Sequence, residues 1–179
     1  MTGVQTCALP ICLGNPGPKY ERTRHNIGFE AAQELTLRHG GKFASHKRTN
    51  ADVAEINIAG RKVIVAKPRT FMNLSGGVVK ALANYFKISP ANIVVIHDEL
   101  DMELGEVRLR LGGGDHGHNG LRDTTKALGT KDYHRLSCGI GRPPGRMAPA
   151  AYVLKPFARK ELDELPIICA DAADLIEEI

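Results

Sequence analysis

The run Ile93–Ile96 constrains the fold of this 179-residue chain more than any other segment. It consists of four consecutive β-branched residues, which favour extended backbone and leave no polar side to face solvent. Such a strand is buried on both faces, so it lies inside a sheet that is covered on both sides. The residues His97, Asp98 and Glu99 follow directly, and the ends of strands are where α/β folds place their sites.

Two further patterns predict strands. Residues Asp52–Ile58 alternate apolar and polar side chains, a turn follows at Ala59-Gly60, and Val63–Ala66 is more continuously apolar, which together predict a hairpin. In Val107–Leu111 the apolar residues alternate with Arg108 and Arg110. That alternation is typical of a half-exposed strand whose basic side faces solvent or a ligand.

Helical patterns separate these strands. The first runs from about Asn26 to His39 and stops at Gly40-Gly41, and the others begin near Ser75, after Asn119 and near Asp163. Because helices and strands interleave, we expect an α/β fold with a twisted mixed sheet flanked by helices. The length suits a single domain spanning residues 1–179.

Bulk properties narrow the class of protein and its partners. No stretch approaches the roughly 18 apolar residues that a membrane-spanning helix needs. The four cysteines form no CxxC pair and the N-terminus has no secretory pattern, so we expect a cytoplasmic protein. Residues 1–157 carry a net charge of +9 and the last 22 residues carry −5. A basic body with an acidic end fits a polyanionic partner, although many unrelated proteins are this basic.

Five polar segments stand at the ends of predicted elements: Leu13–Gly17, Thr23–Gly28, Phe71–Gly76, His97–Asp101 and Gly112–Gly120. In this order and at these separations they resemble the signature blocks of bacterial-type peptidyl-tRNA hydrolases. The resemblance spans roughly Leu13 to Phe157. It implies a single α/β domain that hydrolyses the ester between a peptide and the terminal ribose of tRNA, without a metal or organic cofactor, and acts as a monomer.

The resemblance implies a catalytic pair. His25 matches the family's general base, and a neutral imidazole is suited to taking a proton from an attacking water. Asp98 matches the acid that orients this base. Taken alone, His25 equally suits a helix cap or a solvent contact, and Asp98 equally suits a turn. No serine or cysteine nucleophile is implied, because the chain lacks a GxSxG elbow.

Further residues match substrate contacts of the family. Asn15, Asn73 and Asn119 match asparagines that line the cleft, with Asn15 distinguishing blocked from free aminoacyl groups. Tyr20 and Phe71 match positions that contact the tRNA end, where an aromatic face stacks on a base. The residues alone allow other roles: Asn15 suits a turn, Asn73 and Asn119 suit helix N-caps, and Phe71 suits the core.

Three arginines flank the glycine-rich segment Gly112–Gly120. Arg108, Arg110 and Arg122 are candidates for phosphate contacts, against the alternative of ordinary solvated charge. The segment also satisfies the dinucleotide pattern GxGxxG, but it follows a charged strand late in the chain and not the first strand of a βαβ unit. We interpret it as a mobile rim over the cleft.

Two segments depart from the family pattern. Residues 1–12 are atypical, with Pro10 where an inner strand should donate a hydrogen bond and Cys12 in place of the usual glycine, so a foreign or misread N-terminus is our hypothesis. This puts the position of Asn15 in doubt. Ser137-Cys138 stands where the family tends to carry a basic and an aliphatic residue, which predicts a lost phosphate contact.

Two other classes of function remain open. A non-catalytic RNA-binding protein is one, although it would not need to retain His25, Asp98 and the three asparagines. A metal hydrolase is the other, with four candidate ligands that lack the spacing of a metal-binding helix. Those ligands are His97, Asp115, His116 and His118.

Overall fold

The computed structural model describes residues 6–178 and contains a seven-stranded sheet of order β2-β3-β4-β1-β5-β7-β6. The strands are β1 (Thr6–Cys12), β2 (Ala44–His46), β3 (Ala51–Ile58), β4 (Arg61–Pro68), β5 (Ile93–Glu99), β6 (Val107–Leu111) and β7 (His134–Gly139). The inner strands β4, β1, β5 and β7 are parallel, whereas β2, β3 and β6 join antiparallel. The expected mixed sheet is confirmed.

Helices cover both faces of the sheet. They are α1 (Ile27–Arg38), α2 (Ser75–Phe86), α3 (Asn119–Leu128), α4 (Pro149–Val153), α5 (Arg159–Leu162) and α6 (Leu165–Glu177). Helices α1, α4 and α6 pack on one face, and α2 and α3 pack on the other. The four predicted helices are confirmed, whereas α4 and α5 were not predicted.

Strand β5 is buried along its whole length, as its β-branched run predicts. Val94 and Ile96 join the core under α1 and α6, while Ile93 and Val95 join the core under α2 and α3. This is the period-two alternation of a strand between two helical layers. Because helices pack against both faces of β5, the side chains at its carboxyl end are held in fixed positions.

Pro10 lies in an inner strand, contrary to our interpretation that proline does not suit that place. It pairs in register with Val94 of β5. In a parallel strand, successive residues form their backbone hydrogen bonds with the neighbouring strands on opposite sides. Leu13 donates its N–H to the carbonyl of Ile96, so the odd-numbered residues bond β5. The missing donor of Pro10 therefore falls on the β4 side and costs one ladder bond there. Residues 1–5 of the atypical segment lie outside the described part of the chain.

Strand β7 was not predicted, because Arg135 and Ser137 interrupt its apolar pattern. The guanidinium of Arg135 is nevertheless buried, stacked 4.5 Å from the ring centroid of Tyr133 and donating to the carbonyl of Gly114 at 2.7 Å. A planar cation can be buried in this way when its donors find carbonyl oxygens. Within residues 6–178, no helix is long and apolar enough to cross a membrane.

Gly28 brings α1 against the carboxyl ends of β1 and β5. A Cβ at this position would lie 2.7 Å from the carbonyl oxygen of Ile96 and 3.0 Å from that of Leu13. Both obstacles are backbone atoms, so neither can rotate away. The absence of a side chain at Gly28 therefore sets how closely the turn carrying His25 approaches the sheet.

We expect Gly28→Ala to lower the free energy of unfolding by about 1–3 kcal/mol, because the helix must shift away from the sheet. Urea denaturation measures this change. The matched control is Gly77→Ala in α2, where an added Cβ meets nothing within 4 Å. The control should gain about 0.5–1 kcal/mol of stability from better helix propensity. Equal stabilities of the two variants would contradict the account of the close approach.

Candidate active site

His25 and Asp98 meet at the carboxyl end of β5. His25 Nδ1 lies 2.8 Å from Asp98 Oδ2, and the Asp98 side chain is 2% exposed. An ionised carboxylate only accepts, so Nδ1–H donates and Nε2 of His25 is left free to take a proton. The alternative that His25 caps helix α1 is wrong, since Asn26 occupies the N-cap position. The alternative that Asp98 is a turn residue is also wrong, because it belongs to β5.

A second imidazole, which sequence reasoning considered only as a metal ligand, completes this arrangement. His118 Nε2 lies 2.8 Å from Asp98 Oδ1. The backbone N–H of Leu121 donates to His118 Nδ1 at 3.2 Å, so the proton of the neutral ring sits on Nε2 and points at the carboxylate. His118 is thus the N-cap of α3, and its position just before that helix was the available signal.

The two imidazoles make the buried acid stable as an anion. Burial by itself raises the pKa of Asp98, but the electrostatic interactions and hydrogen bonds with His25 and His118 outweigh it and hold that pKa below its usual range. Asp98 therefore stays ionised at neutral pH. Its two oxygens each accept from one ring, which fixes the orientation of both.

His97 is excluded as a base by its surroundings. Burial, followed by the nearby His118, lowers the pKa of His97 to about 3. Its Nδ1 donates to the carbonyl of Asp98 at 2.8 Å, and its Nε2 accepts from Ser137 Oγ at 3.0 Å. The ring is neutral at pH 7 with both nitrogens engaged.

The four candidate metal ligands do not converge on one point. His97 is engaged as described, His116 Nδ1 bonds Glu99 Oε1 at 2.7 Å, and Asp115 Oδ1 accepts from the backbone of Gly117. The groups whose ligand atoms do lie within 4.8 Å of one another are different sets: His25 with Asp98 and His118, and Glu99 with Asp101 and His116. In the first set the imidazoles are held by hydrogen bonds to the carboxylate itself.

A cleft of about 270 Å³ opens beside His25. Its lining includes Asp98, His118 and Asn119 together with residues of α4. Asn119 is exposed there, so its amide is available to a ligand. It is the first residue of α3 and not its N-cap, so the capping alternative is wrong for Asn119.

Asn15 and Asn73 lie apart from this cleft. The Oδ1 atom of Asn15 accepts from the N–H of Met72 at 2.7 Å, while Asn26 bonds both the N–H and the carbonyl of Asn15 at 2.8 Å. Asn15 lines a neighbouring cavity of about 300 Å³. Asn73 is exposed in the 3-10 turn Met72–Leu74, and Leu74 is the N-cap of α2, so capping is wrong here as well.

Tyr20 and Phe71 form an aromatic pair. Their ring centroids are 6.0 Å apart with planes at 77°, an edge-to-face contact. Phe71 is 51% exposed, so the alternative that it belongs to the core is wrong. Part of each ring is available to stack on a planar group.

The arginines divide between two places. Arg108 and Arg110 are exposed on edge strand β6 and line a cavity of about 100 Å³, to which the buried Arg135 also contributes. Sequence reasoning missed Arg135 because an arginine inside a strand pattern normally indicates solvent exposure. Arg122 lies on α3, with its Nε 3.7 Å from a carboxylate oxygen of Asp115.

The glycine-rich segment is not a dinucleotide loop. It follows β6, an antiparallel edge strand, and adopts positive φ at Gly112, Gly113 and Gly117. His116 shares this unusual backbone, with φ of 50°, and its bond to Glu99 holds it there. The segment lines both the cleft and the arginine cavity.

Comparison with known proteins identifies the family. The family model described as peptidyl-tRNA hydrolase matches residues 9–179. The chain belongs to the peptidyl-tRNA hydrolase family. Its match begins at Leu9 within β1, so the matched region includes Pro10 and leaves residues 1–8 outside.

Individual relatives agree with this assignment. Peptidyl-tRNA hydrolase 1 of Corynebacterium glutamicum is 62% identical over 170 residues, which are 95% of this chain and 94% of the relative. Peptidyl-tRNA hydrolase of Nocardia farcinica is 55% identical over 178 residues, covering 99% and 92%. The crystal structure of peptidyl-tRNA hydrolase from Acinetobacter baumannii superposes with a TM-score of 0.85 at 34% identity, covering 97% of this chain and 86% of that one.

Proposed function

We propose that the protein hydrolyses the ester between a peptide, or an N-blocked amino acid, and the 3′ end of tRNA, using water activated by His25. The reaction is that of the family to which the chain belongs. The observation that supports the mechanism is the His25–Asp98 contact of 2.8 Å at the edge of the cleft. It leaves one imidazole nitrogen free beside the space in which a substrate would lie.

The proposed reaction proceeds in two steps. His25 Nε2 takes a proton from water as the water oxygen bonds to the ester carbonyl carbon. The tetrahedral intermediate then collapses with cleavage of the bond to the ribose oxygen, which takes the proton back from His25. Asp98 stabilises the imidazolium formed between the steps, and His118 keeps the carboxylate turned towards His25.

We assign the surrounding residues to substrate binding. We propose that Asn119, which lines the cleft, donates an amide hydrogen to the ester carbonyl or its oxyanion. The amide nitrogen of Asn15 has no hydrogen-bond partner among residues 6–178, so it is available to the peptide. Asn73 follows Met72, whose N–H donates to Asn15. We propose that Asn73 contacts the substrate on the same side as Asn15. Tyr20 and Phe71 offer ring surface to the terminal base of tRNA.

The basic groups near the cleft suit the tRNA phosphates. We propose that Arg108, Arg110 and Arg122 supply these contacts. We also propose that one phosphate contact is absent at Ser137, where the family tends to carry a basic residue. We further propose a cytoplasmic monomer that needs no protein partner. The buried thiols of Cys12, Cys138 and Cys169 are unpaired, as a reducing compartment would leave them.

We expect His25→Ala to lower turnover of N-acetyl-aminoacyl-tRNA by roughly two to four orders of magnitude while tRNA binding persists. The measurement is release of the acylated amino acid, with unblocked aminoacyl-tRNA and added chelator as parallel conditions. We expect chelator-resistant cleavage of the blocked substrate alone. Wild-type protein that binds the tRNA but cleaves neither substrate would favour an RNA-binding function instead.

The matched control for His25 is His134→Ala. His134 begins β7, and the β5–β7 register places it four residues before the partner of Asp98. It is therefore about 13 Å along the strand from the site, at roughly 3.3 Å per residue. His134→Ala should retain wild-type turnover. Equal turnover in the two variants would remove His25 from the mechanism.

We expect Arg110→Ala to weaken tRNA binding and to reduce the slope of log affinity against log salt by about 1, because one phosphate contact is lost. Filter binding or fluorescence titration at several salt concentrations gives this slope. Arg48→Ala is the control, since Arg48 lies between β2 and β3 at the opposite edge of the sheet. A slope unchanged from wild type in Arg110→Ala would place Arg110 off the tRNA surface.

A further inference from the structure

Arg24 directly precedes His25, and its charged side chain is buried. The residue is 7% exposed, although a buried guanidinium is costly unless its donors are satisfied. The proposed role of His25 as general base does not require a guanidinium next to it. The partners of Arg24 therefore indicate what this residue does.

Among residues 6–178, the polar partners of the guanidinium lie in one distant part of the chain, between residues 152 and 161, while the buried Nε has no partner. Nη2 bonds Glu161 Oε1 at 2.7 Å. Nη1 donates to the carbonyl oxygens of Tyr152, Lys155 and Pro156 at 3.5, 3.4 and 3.2 Å. The guanidinium carbon also lies 4.1 Å from the ring centroid of Tyr152, a cation–π contact.

The start of this part of the chain lines the same cleft as His25. We call residues 149–157 the wall segment, and three of its residues, Pro149, Ala150 and Val153, line the cleft. Two backbone hydrogen bonds also join the turn around Arg24 to the wall segment. Arg24 N–H donates to the carbonyl of Lys155 at 3.1 Å, and Phe157 N–H donates to the carbonyl of Arg22 at 3.0 Å.

On its N-terminal side the wall segment has a looser connection. Residues 140–148 join it to β7 without a helix or strand, and they contain two glycines at positive φ and two prolines. Helix α4 itself is a single short helix of five residues. The Tyr152 hydroxyl donates to the carbonyl of Ile140 at 3.2 Å, and Tyr152 and Phe157 pack in the core. The His25 turn, through Arg24, is its main polar anchor.

We propose that Arg24 is a positioning residue that holds the wall segment at a fixed distance from His25. The width of the cleft then depends on the bonds of the guanidinium together with the two backbone hydrogen bonds. The use of that cleft by the substrate rests on the proposed function, whereas the connection between Arg24 and the wall segment does not. Glu161, which follows the wall segment in α5, bonds the same guanidinium and orients it.

Lysine cannot replace this connection. Its ammonium is a compact charge with three donors, whereas the planar guanidinium bonds a carboxylate and several carbonyls at once and stacks on a ring. Arg24→Lys therefore keeps the positive charge but cannot form the same set of hydrogen bonds and the stacking contact with Tyr152. The variant should leave His25 and Asp98 in contact while loosening the wall.

The first test is amide hydrogen exchange of the unliganded protein. In Arg24→Lys we expect exchange of residues 149–157 to accelerate about tenfold or more, with exchange of β5 unchanged, because only a local opening becomes easier. The matched control is Arg38→Lys. Arg38 also bonds carboxylate and carbonyl oxygens, here of Asp174, Glu177 and Ala170, but it lies at the other end of α1. Wild-type exchange of residues 149–157 in Arg24→Lys would overturn the proposal.

The second test is the kinetics of N-acetyl-aminoacyl-tRNA cleavage. A loosened wall should raise KM about tenfold with a smaller change in kcat, since binding contacts are weakened and the base is retained. A merely structural role would lower the folded fraction, reducing kcat at unchanged KM, and that result would overturn the proposal.

If Arg24→Lys does not fold, the variant to test is Glu161→Gln, which keeps Arg24 and weakens its shortest hydrogen bond. Hydrogen exchange of residues 149–157 and the KM for N-acetyl-aminoacyl-tRNA are then measured on that variant, with the same expected and contradicting results. Absence of cleavage by the wild type would refute the proposed function, and the exchange result would still decide the role of Arg24.

Discussion

The Asp98 carboxylate is buried at the end of β5, where water cannot supply the hydrogen bonds that an ionised acid requires. Two imidazoles supply them instead, one from the turn before α1 and one from the N-cap of α3. These two elements belong to opposite helical layers of the sheet. A single buried charge therefore fixes where both layers present their polar residues.

Close backbone approach makes this geometry possible. Gly28 allows α1 to approach the backbone carbonyls of Leu13 and Ile96, and Gly120 leaves room for the side chains that pack against the start of α3. A Cβ at Gly120 would lie 2.7 Å from Met72 Sδ and 3.0 Å from Cε1 of His118. The glycines of the signature blocks thus have a packing role next to the chemical residues. The same reasoning connects Arg24 to the site, because the wall it holds is the side of the cleft that the glycine contacts do not position.

The sequence predicted those parts of the fold whose residues follow one simple pattern. The β-branched run of β5, the β3–β4 hairpin and the four longer helices have regular apolar periodicity, and all were confirmed. Strand β7 was not predicted because its buried Arg135 donates to the carbonyl of Gly114, which lies elsewhere in the sequence, and stacks on the ring of nearby Tyr133. The strand through Pro10 was doubted for a similar reason, since which neighbour loses a hydrogen bond depends on the sheet order. His25 and Asp98 came from the family resemblance, whereas the role of His118 depends on a fold that brings positions 98 and 118 together.

The most direct test of the central claim is the cleavage of N-acetyl-aminoacyl-tRNA by Asp98→Asn. Asparagine has the same shape, but its amide group cannot accept from both imidazoles, so His25 loses the partner that orients it and stabilises its charged form. The account predicts a fall in kcat/KM of roughly two orders of magnitude or more in a variant that remains folded. Wild-type cleavage by folded Asp98→Asn would contradict the account, because the buried carboxylate would then have no part in activating water.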